Sequence, residues 1–385
     1  MLGPCLEEAL NISRKIAPVL ILVMLSAACG KAATVASAGP GGNGDGSDKL
    51  AGSQTLKGYD SLPFKDILAM PEGEVKVEGK AKITLGFSQT CFNHPWRKAM
   101  LESVLAEVKH HSNVSVVTLD GNCDAAKQSN DIDDLMARGV DAIIMSPVES
   151  AGLAPAARRV IAKKIPLILL DRDVPAEKTV FIGQSNVDMA YETAKKMITD
   201  LKGKGNIVEI TGLSGSSPAT DRSAGLKKAL AEAPGIKLLA QGDGQWVREP
   251  AVKVMDDWLT KFPKIDAVFS HAEESSWGAM QAIKNAGRCK DNIKEYTHDG
   301  SAPGFQAVKE GQFEADGNYS PFIGDIGVRA ALTALQGKPV EGAKPYTQPG
   351  AYLQLPNLPL VTADNADKWI PQGWGTFELT KNPCK

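Results

Sequence analysis

The chain has 385 residues, 43% apolar and 23% charged, with 43 Lys and Arg against 45 Asp and Glu for a formal net charge of −2. That balance excludes wholesale disorder and excludes a protein that works by neutralising phosphates, so no nucleic-acid partner is expected. The length suits two lobes, and six cysteines are too few for a disulfide scaffold but enough for a bridge or two in an oxidising compartment.

At the N-terminus, Arg14 and Lys15 precede an apolar run, Ile16 to Leu25, followed by Ser26-Ala27-Ala28-Cys29-Gly30. A basic flank, a short apolar segment and small residues describe an export signal, and the run is too short to span a bilayer. A cysteine directly after the small residues resembles a bacterial lipobox, in which Cys29 would be lipidated and become the mature N-terminus. Ser26 stands where that pattern usually has Leu, with Leu25 one place early; a plain secretory signal or a retained anchor is the alternative. Residues 1–29 therefore read as export signal and lipobox. Residues 30–51, rich in Gly, Ala, Ser, Asn and Asp, read as a flexible tether, and 52–80, with one apolar stretch from Leu62 to Met70, as an N-terminal arm.

From residue 81 the pattern alternates strand and helix. Ile83 to Phe87 is a short buried-strand run, and Pro95 suits the first turn of the helix that follows. Trp96, Met100, Val104 and Val108 then fall on one helical face. Val114–Leu119, Ala142–Met145 and Leu167–Leu170 continue the series, separated by helices that contain Ile132–Ala137 and Leu153–Ala162. A second series runs through Ile207–Ile210, Ile236–Ala240, Ala267–Phe269 and Ile293–Tyr296. Its helices lie near Tyr191–Leu201, Thr220–Ala233, Ala251–Lys261 and Gly278–Ala286. Continuous apolar strands between amphipathic helices mean parallel sheets covered on both faces. The predicted fold is α/β, two doubly wound parallel-sheet lobes, with ligands beyond the carboxyl ends of the strands.

The residues that follow the strands are polar and aromatic. They include His94, Trp96 and Arg97, then Ser146, Asp171-Arg172 and Asp221-Arg222, and finally Trp246, His271 with Glu273, His298-Asp299 and Tyr319. Asp and Arg in a cleft make charge-assisted hydrogen bonds to hydroxyls, and Trp offers a flat apolar face. No nucleophile or base stands out, so the set reads as a site that binds without reacting: no catalytic residue and no cofactor is expected. His271, Glu273, His298 and Asp299 are types that ligate metals, but no HExxH or CxxC accompanies them. Gly212 to Ser216 lacks the spacing of a nucleophile elbow.

These pieces together resemble the bacterial periplasmic sugar-binding proteins of the ribose/galactofuranose type, the solute receptors of ABC importers. The resemblance rests on Gly86-Phe87-Ser88-Gln89 with Trp96-Arg97, and on Gly139-Val140-Asp141-Ala142-Ile143 before Ser146-Pro147-Val148. It rests also on Ile165-Pro166 leading to Leu170-Asp171-Arg172, Asp221-Arg222 before Gly225, and Asp299-Gly300. It implies two lobes of the type I periplasmic-binding fold, joined by three crossovers and closing around one sugar. The N-terminal lobe would be 81–184 plus 301–321, and the C-terminal lobe and tail 185–300 plus 322–385. The implied ligand contacts are His94, Trp96, Arg97, Ser146, Asp171 and Arg172 from the first lobe. From the second come Arg222, Trp246, Glu273 and Asp299, and from the 301–321 return Tyr319, with Trp246 sandwiching the ring opposite Trp96. Two positions depart from the family. Ala272 replaces an Asn, and Tyr319 a Gln-like contact, so the ligand set is not that of ribose.

Cys91 follows the first strand and Cys123 the second, and adjacent parallel strands put such positions side by side. A Cys91–Cys123 bridge is expected, and a Cys289–Cys384 bridge would tie the tail to the C-terminal lobe; reduced, buried thiols are the alternative. The function expected is that of a monomeric, lipid-anchored receptor at the periplasmic or extracellular face of the cytoplasmic membrane. It would capture a monosaccharide or polyol for an ABC permease. One alternative is a sensor that presents its closed form to a chemoreceptor or kinase. Another, of a different class, is a metal-assisted hydrolase using His271 and Glu273.

Overall fold

Ala142–Met145 and Leu167–Leu170 are four-residue apolar runs with every side chain buried, and burial on both faces requires helices on either side of a parallel sheet. The computed structural model, which describes residues 56–384, builds two such sheets; the export signal, Cys29 and the tether lie outside the described residues. The first lobe opens with β1 (Ile83–Gln89), α1 (Pro95–Lys109), β2 (Val114–Asp120), α2 (Ala125–Ala137), β3 (Ala142–Met145), α3 (Ser150–Ala162), β4 (Leu167–Leu170) and β5 (Val180–Gly183). The second comprises α4 (Asn186–Asp200), β6 (Gly205–Thr211), α5 (Ser217–Leu230), β7 (Ile236–Asp243), α6 (Arg248–Lys261) and β8 (Ala267–Ser270). It continues through α7 (Glu273–Asn285), β9 (Lys294–His298), α8 (Ala302–Lys309) and β10 (Ala315–Gly317). The chain then returns to the first lobe with α9 (Gly324–Leu335), β11 (Lys344–Pro345) and β12 (Ala351–Gln354), and ends in the second with β13 (Val361–Thr362) and α10 (Ala366–Trp369).

The sheet orders are β11-β12-β5-β4-β3-β1-β2 and β13-β10-β9-β8-β6-β7. All pairings are parallel except those of β11 with β12 and β10 with β13. In each sheet the order reverses beside the first strand, β1 in one and β6 in the other, which opens a crevice at the carboxyl ends. Three crossovers, after β5, β10 and β12, join the lobes.

The crossovers differ from the expected boundaries. Residues 301–321 were expected in the first lobe, but α8 packs on β10 and β13, and β10 pairs with β9 in the second sheet. The return begins after β10 instead, and α9, β11 and β12 of the expected C-terminal portion belong to the first lobe, with α9 against α1, β3 and β4. The cause is β10 itself: Ala-Asp-Gly carries no apolar run to announce a strand.

The arm packs on the first lobe. Leu62, Phe64 and Val75 are buried in its core, and Tyr59 donates to Asp325 Oδ2 at 2.5 Å. Arg329 of α9 pairs with Glu107 at 2.8 Å and donates to the arm carbonyl of Lys65 at 2.6 Å. Cys91 is bonded to Cys123 and Cys289 to Cys384, with Cα–Cα distances of 5.0 and 5.3 Å.

Candidate functional site

The carboxyl ends of the two sheets face each other across a cavity of about 130 Å³. His94, Trp96, Arg97, Asp171, Arg172 and Tyr319 meet Arg222, Trp246 and Asp299 there. The lobes touch at its rim, where the Ser150 N–H donates to Gly215 O at 2.9 Å and the Asp173 N–H to Ser217 Oγ at 2.9 Å.

The loop after β1 is pinned by the Cys91–Cys123 bridge, and His94 then caps α1. Its Nδ1 accepts from the Trp96 N–H at 3.1 Å, so the ring proton sits on Nε2, which is buried with no protein partner. Burial, then the charges of Arg97, Arg172 and Arg222, push His94 down to about 3. It is a neutral donor aimed at the cavity.

Asp171 organises the first-lobe wall. One carboxylate oxygen accepts from Arg97 at 2.6 Å and the other from the Tyr319 hydroxyl at 2.9 Å. Arg172 is 1% exposed, and its Nη1 donates to Val148 O at 2.9 Å while its Nε makes no hydrogen bond and lies 3.7 Å from Asp171 Oδ2. Burial, then Arg97, drives its pKa down. The Trp96 ring does not stand alone, as the sandwich with Trp246 implied. It stacks on Tyr319 at 5.7 Å and 16°, and the Arg97 guanidinium lies 4.6 Å from its centre.

On the second lobe, Arg222 Nε donates to Asn186 Oδ1 at 2.9 Å. Its Nη1 donates to His271 O and lies 3.5 Å from Asp299 Oδ1. Burial pushes the Asp299 carboxyl up, with Arg222 opposing. Trp246 lies between Arg172 and Arg222, whose guanidinium carbons are 5.7 and 5.3 Å from its ring, and its Nε1 is buried without a protein partner. Asp171, Gln245 and Trp246 all have left-handed backbones, with φ of 64°, 54° and 68°. Such strain, of order 1–3 kcal/mol per residue, clusters at functional sites.

Two expected contacts are elsewhere. Ser146 is fully buried behind the wall, where it accepts from Arg97 at 3.2 Å. Glu273 lies below Asp299 and accepts from the Ser301 N–H at 2.8 Å and the Ser301 hydroxyl. Both sit at strand ends, but one layer too deep. The metal alternative loses its geometry as well. His271 accepts the Gly212 N–H on Nδ1 at 3.2 Å and donates from Nε2 to Glu209 at 3.0 Å, and His298 donates from Nδ1 to Ser270 O at 2.7 Å. Among the described residues no group of three or more His, Cys, Asp or Glu is placed to hold a metal ion.

The cavity also takes in Thr90, Leu213, Pro218 and Gln245, which the sequence reading passed over. Thr90 directly follows β1, so the strand-end rule could have found it. Gln245 follows the Asp243-Gly244 turn, a signal of an exposed loop.

Paired switch points, a lined cavity between them and lobes that touch around it define a two-lobed ligand-binding protein. The chain belongs to the periplasmic binding protein domain family, matched over residues 85–339, a family of binding proteins of periplasmic location. It is 33% identical over 258 residues to the xylitol-binding protein of Mycolicibacterium smegmatis, which covers 66% of this chain and 71% of the relative. It is 27% identical over 264 residues to the ribose import binding protein of Bacillus subtilis, 68% and 85% of the two chains. The fructose-binding periplasmic domain of a hybrid two-component system superposes with a TM-score of 0.68 at 34% identity, over 75% of this chain and 94% of that one.

Proposed function

We propose that this chain is an extracytoplasmic receptor that closes its lobes on one small sugar or polyol and presents it to an ABC importer. The observation that carries this reading is the convergence on one cavity of residues whose buried polar atoms have no hydrogen-bond partner: His94 Nε2, Arg172 Nε and Trp246 Nε1. Buried donors need acceptors; the Asp171 carboxylate, paired with Arg97, accepts, and the raised Asp299 carboxyl can give or take a hydrogen bond. A hydroxyl does both, whereas a purely anionic ligand would be opposed by the Asp171 carboxylate. A volume of about 130 Å³ is below the range typical of drug-sized ligands and suits one small molecule.

Closure excludes water and strengthens every charge-assisted bond, so the closed form is populated chiefly with ligand bound. Ala272 and Tyr319 replace the contacts expected for ribose. The xylitol-binding relative and the replacement of an amide by Tyr319 both support a polyol or a sugar other than ribose. Lipidation at Cys29 and a monomeric state complete the proposal; mass spectrometry of the mature N-terminus tests the first.

A sensory role is the second reading, favoured by the likeness to the periplasmic domain of a two-component system. Stimulation of ATP hydrolysis by a permease in proteoliposomes, seen only with the liganded receptor, would favour import. A thermal-shift screen against pentoses, hexoses and polyols tests the common core of both readings. A ligand at 100 times its dissociation constant adds about 2.7 kcal/mol of stability. Trp246→Ala and Arg172→Ala are each expected to abolish that shift, and a full shift in both would overturn the site.

A further inference from the structure

The two second-lobe loops that carry ligand-facing side chains are both held from behind by the C-terminal tail. Trp374 is 3% exposed. Its indole N–H donates to Asp299 O at 2.8 Å, and its own carbonyl accepts from the Ala302 N–H at 2.8 Å. Ser301 and Trp374 thus form a parallel bridge, and a Cβ on Gly373 would come within 2.5 Å of Ala302 N, so the two backbones are in direct contact. The held segment is a strained turn: Asp299 and Gly300 have φ of 141° and 78°.

The turn's other side is fixed by buried carboxylates. Ser301 donates from its N–H and its hydroxyl to Glu273, and the Gly300 N–H donates to Asp316 Oδ1 at 3.3 Å. Buried acids and tail therefore both hold the turn, and of residues 299–301 it is Asp299 that lines the cavity. Further along, Thr380 Oγ1 accepts from Arg248 Nη2 at 2.7 Å, and Arg248 begins α6, two residues after Trp246. Phe377 packs on both Trp374 and Trp277 at 5.8 and 6.4 Å, and the Cys289–Cys384 bridge fastens the end.

We propose that residues 369–384 form a strap that sets Asp299 and the Trp246 loop for ligand binding, with Trp374 as a positioning residue. This rests on the receptor reading given above. Trp374 lines no part of the cavity; it acts through the main chain of residue 299, where removing one of the turn's hydrogen bonds loosens a strained backbone.

The test uses the mature chain and Trp374→Phe, which keeps a ring in the core and loses the indole N–H. Amide exchange without ligand is expected to accelerate at residues 299–302 and stay unchanged at 205–211. Calorimetric titration with xylitol is expected to show about tenfold weaker binding for Trp374→Phe. In an Asp299→Asn background the same substitution is expected to cost less than about twofold, because the group it positions is already lost. A merely structural role would lower the melting temperature and give equal losses in both backgrounds, which overturns the proposal. Unchanged exchange at 299–302 overturns it too. Thr380→Val, outside the core, is the second variant should Trp374→Phe fail to fold. Faster exchange at 246–249 supports the strap and unchanged exchange refutes it. If none of the pentoses, hexoses and polyols of the thermal-shift screen binds the wild-type chain, the receptor reading falls while the exchange result still decides the strap.

Discussion

Gly212 shows how tightly the second-lobe wall is fitted. A Cβ there would lie 2.0 Å from Trp246 Cζ2, with ring carbons on every near side. The Gly212 N–H is held by His271, itself held by Glu209, so the loop has no freedom to retreat. Gly212→Ala is therefore expected to push the Trp246 ring into the cavity and weaken sugar or polyol binding at least tenfold. The chain should still fold, because the ring has the cavity to move into. Binding within twofold of wild type, measured by titration, would mean that Trp246 is not part of the ligand wall. At this scale the sequence was informative about residue types but not about depth. Nine of the eleven expected contacts line the cavity, whereas Ser146 and Glu273 share the strand-end position with them and point behind the wall. Hydropathy marks where a strand stops, but the direction of a side chain depends on twist and on the loop that follows.

The loop from Thr90 to Trp96 belongs to the scale of elements. It leaves β1, is bridged to the β2 loop through Cys91 and Cys123, and enters α1 through the His94 cap. The bridge closes a loop with a sequence separation of 32, for which removal costs about 2–4 kcal/mol. Cys91→Ser with Cys123→Ser should lower unfolding stability by that amount in urea melts. It should also raise the ligand dissociation rate, since His94 and Arg97 lose their shared support. A variant equal to wild type in both would show that the cap alone fixes the loop. Legibility divides along the same line. β3, β4 and β8 were readable because central strands covered on both faces carry apolar runs, and β1 and β6 because their runs are interrupted only at Thr84 and Gly86 or at Glu209. β10 and β12 were not, because the one is three residues with a single apolar side chain and the other lies near a sheet edge with only Leu353 buried. Missing β10 moved a lobe boundary, and with it the assignment of α9. The strap was legible only at its end: the expected Cys289–Cys384 bridge ties the tail to the second lobe, but nothing local to Trp374 says that it reaches residue 299.

Taken as a whole, the molecule buries several acids, among them Glu209, Glu273, Glu295, Asp316 and Asp325. Burial pushes Asp221 and Asp325 up to about 6. Glu273 is held above the usual range by burial and by neighbouring Asp316. Each raised carboxyl binds its proton more tightly in the folded chain than in the unfolded one, where carboxyls titrate near 4. The stability that Asp221 and Asp325 confer is thus complete below about pH 4 and is lost as pH rises through about 6. Other acids act in the opposite sense: Glu107 and Glu209 are held low by Arg329 and His271, against burial. Their contribution is lost as pH falls below the carboxylate range. The buried, neutral imidazoles of His94, His271 and His298 oppose these acids between pH 7.5 and pH 5, since their stability is present above about pH 6.5 and lost as pH falls. Substitution isolates one acid: in Asp221→Asn the melting temperature at pH 5 should fall relative to that at pH 7.5 when compared with the wild type, and an unchanged difference would show that Asp221 is not protonated in the folded state.

Import and sensing both require that two lobes close on one uncharged, hydroxyl-rich molecule and release it unaltered. Titration calorimetry of the mature chain against pentoses, hexoses and polyols, with magnetic resonance of the recovered solute, reads both halves of that statement. One site per chain, for a small set of related solutes returned intact, is the predicted result. Heat from none of them, or a solute recovered in altered form, would contradict it.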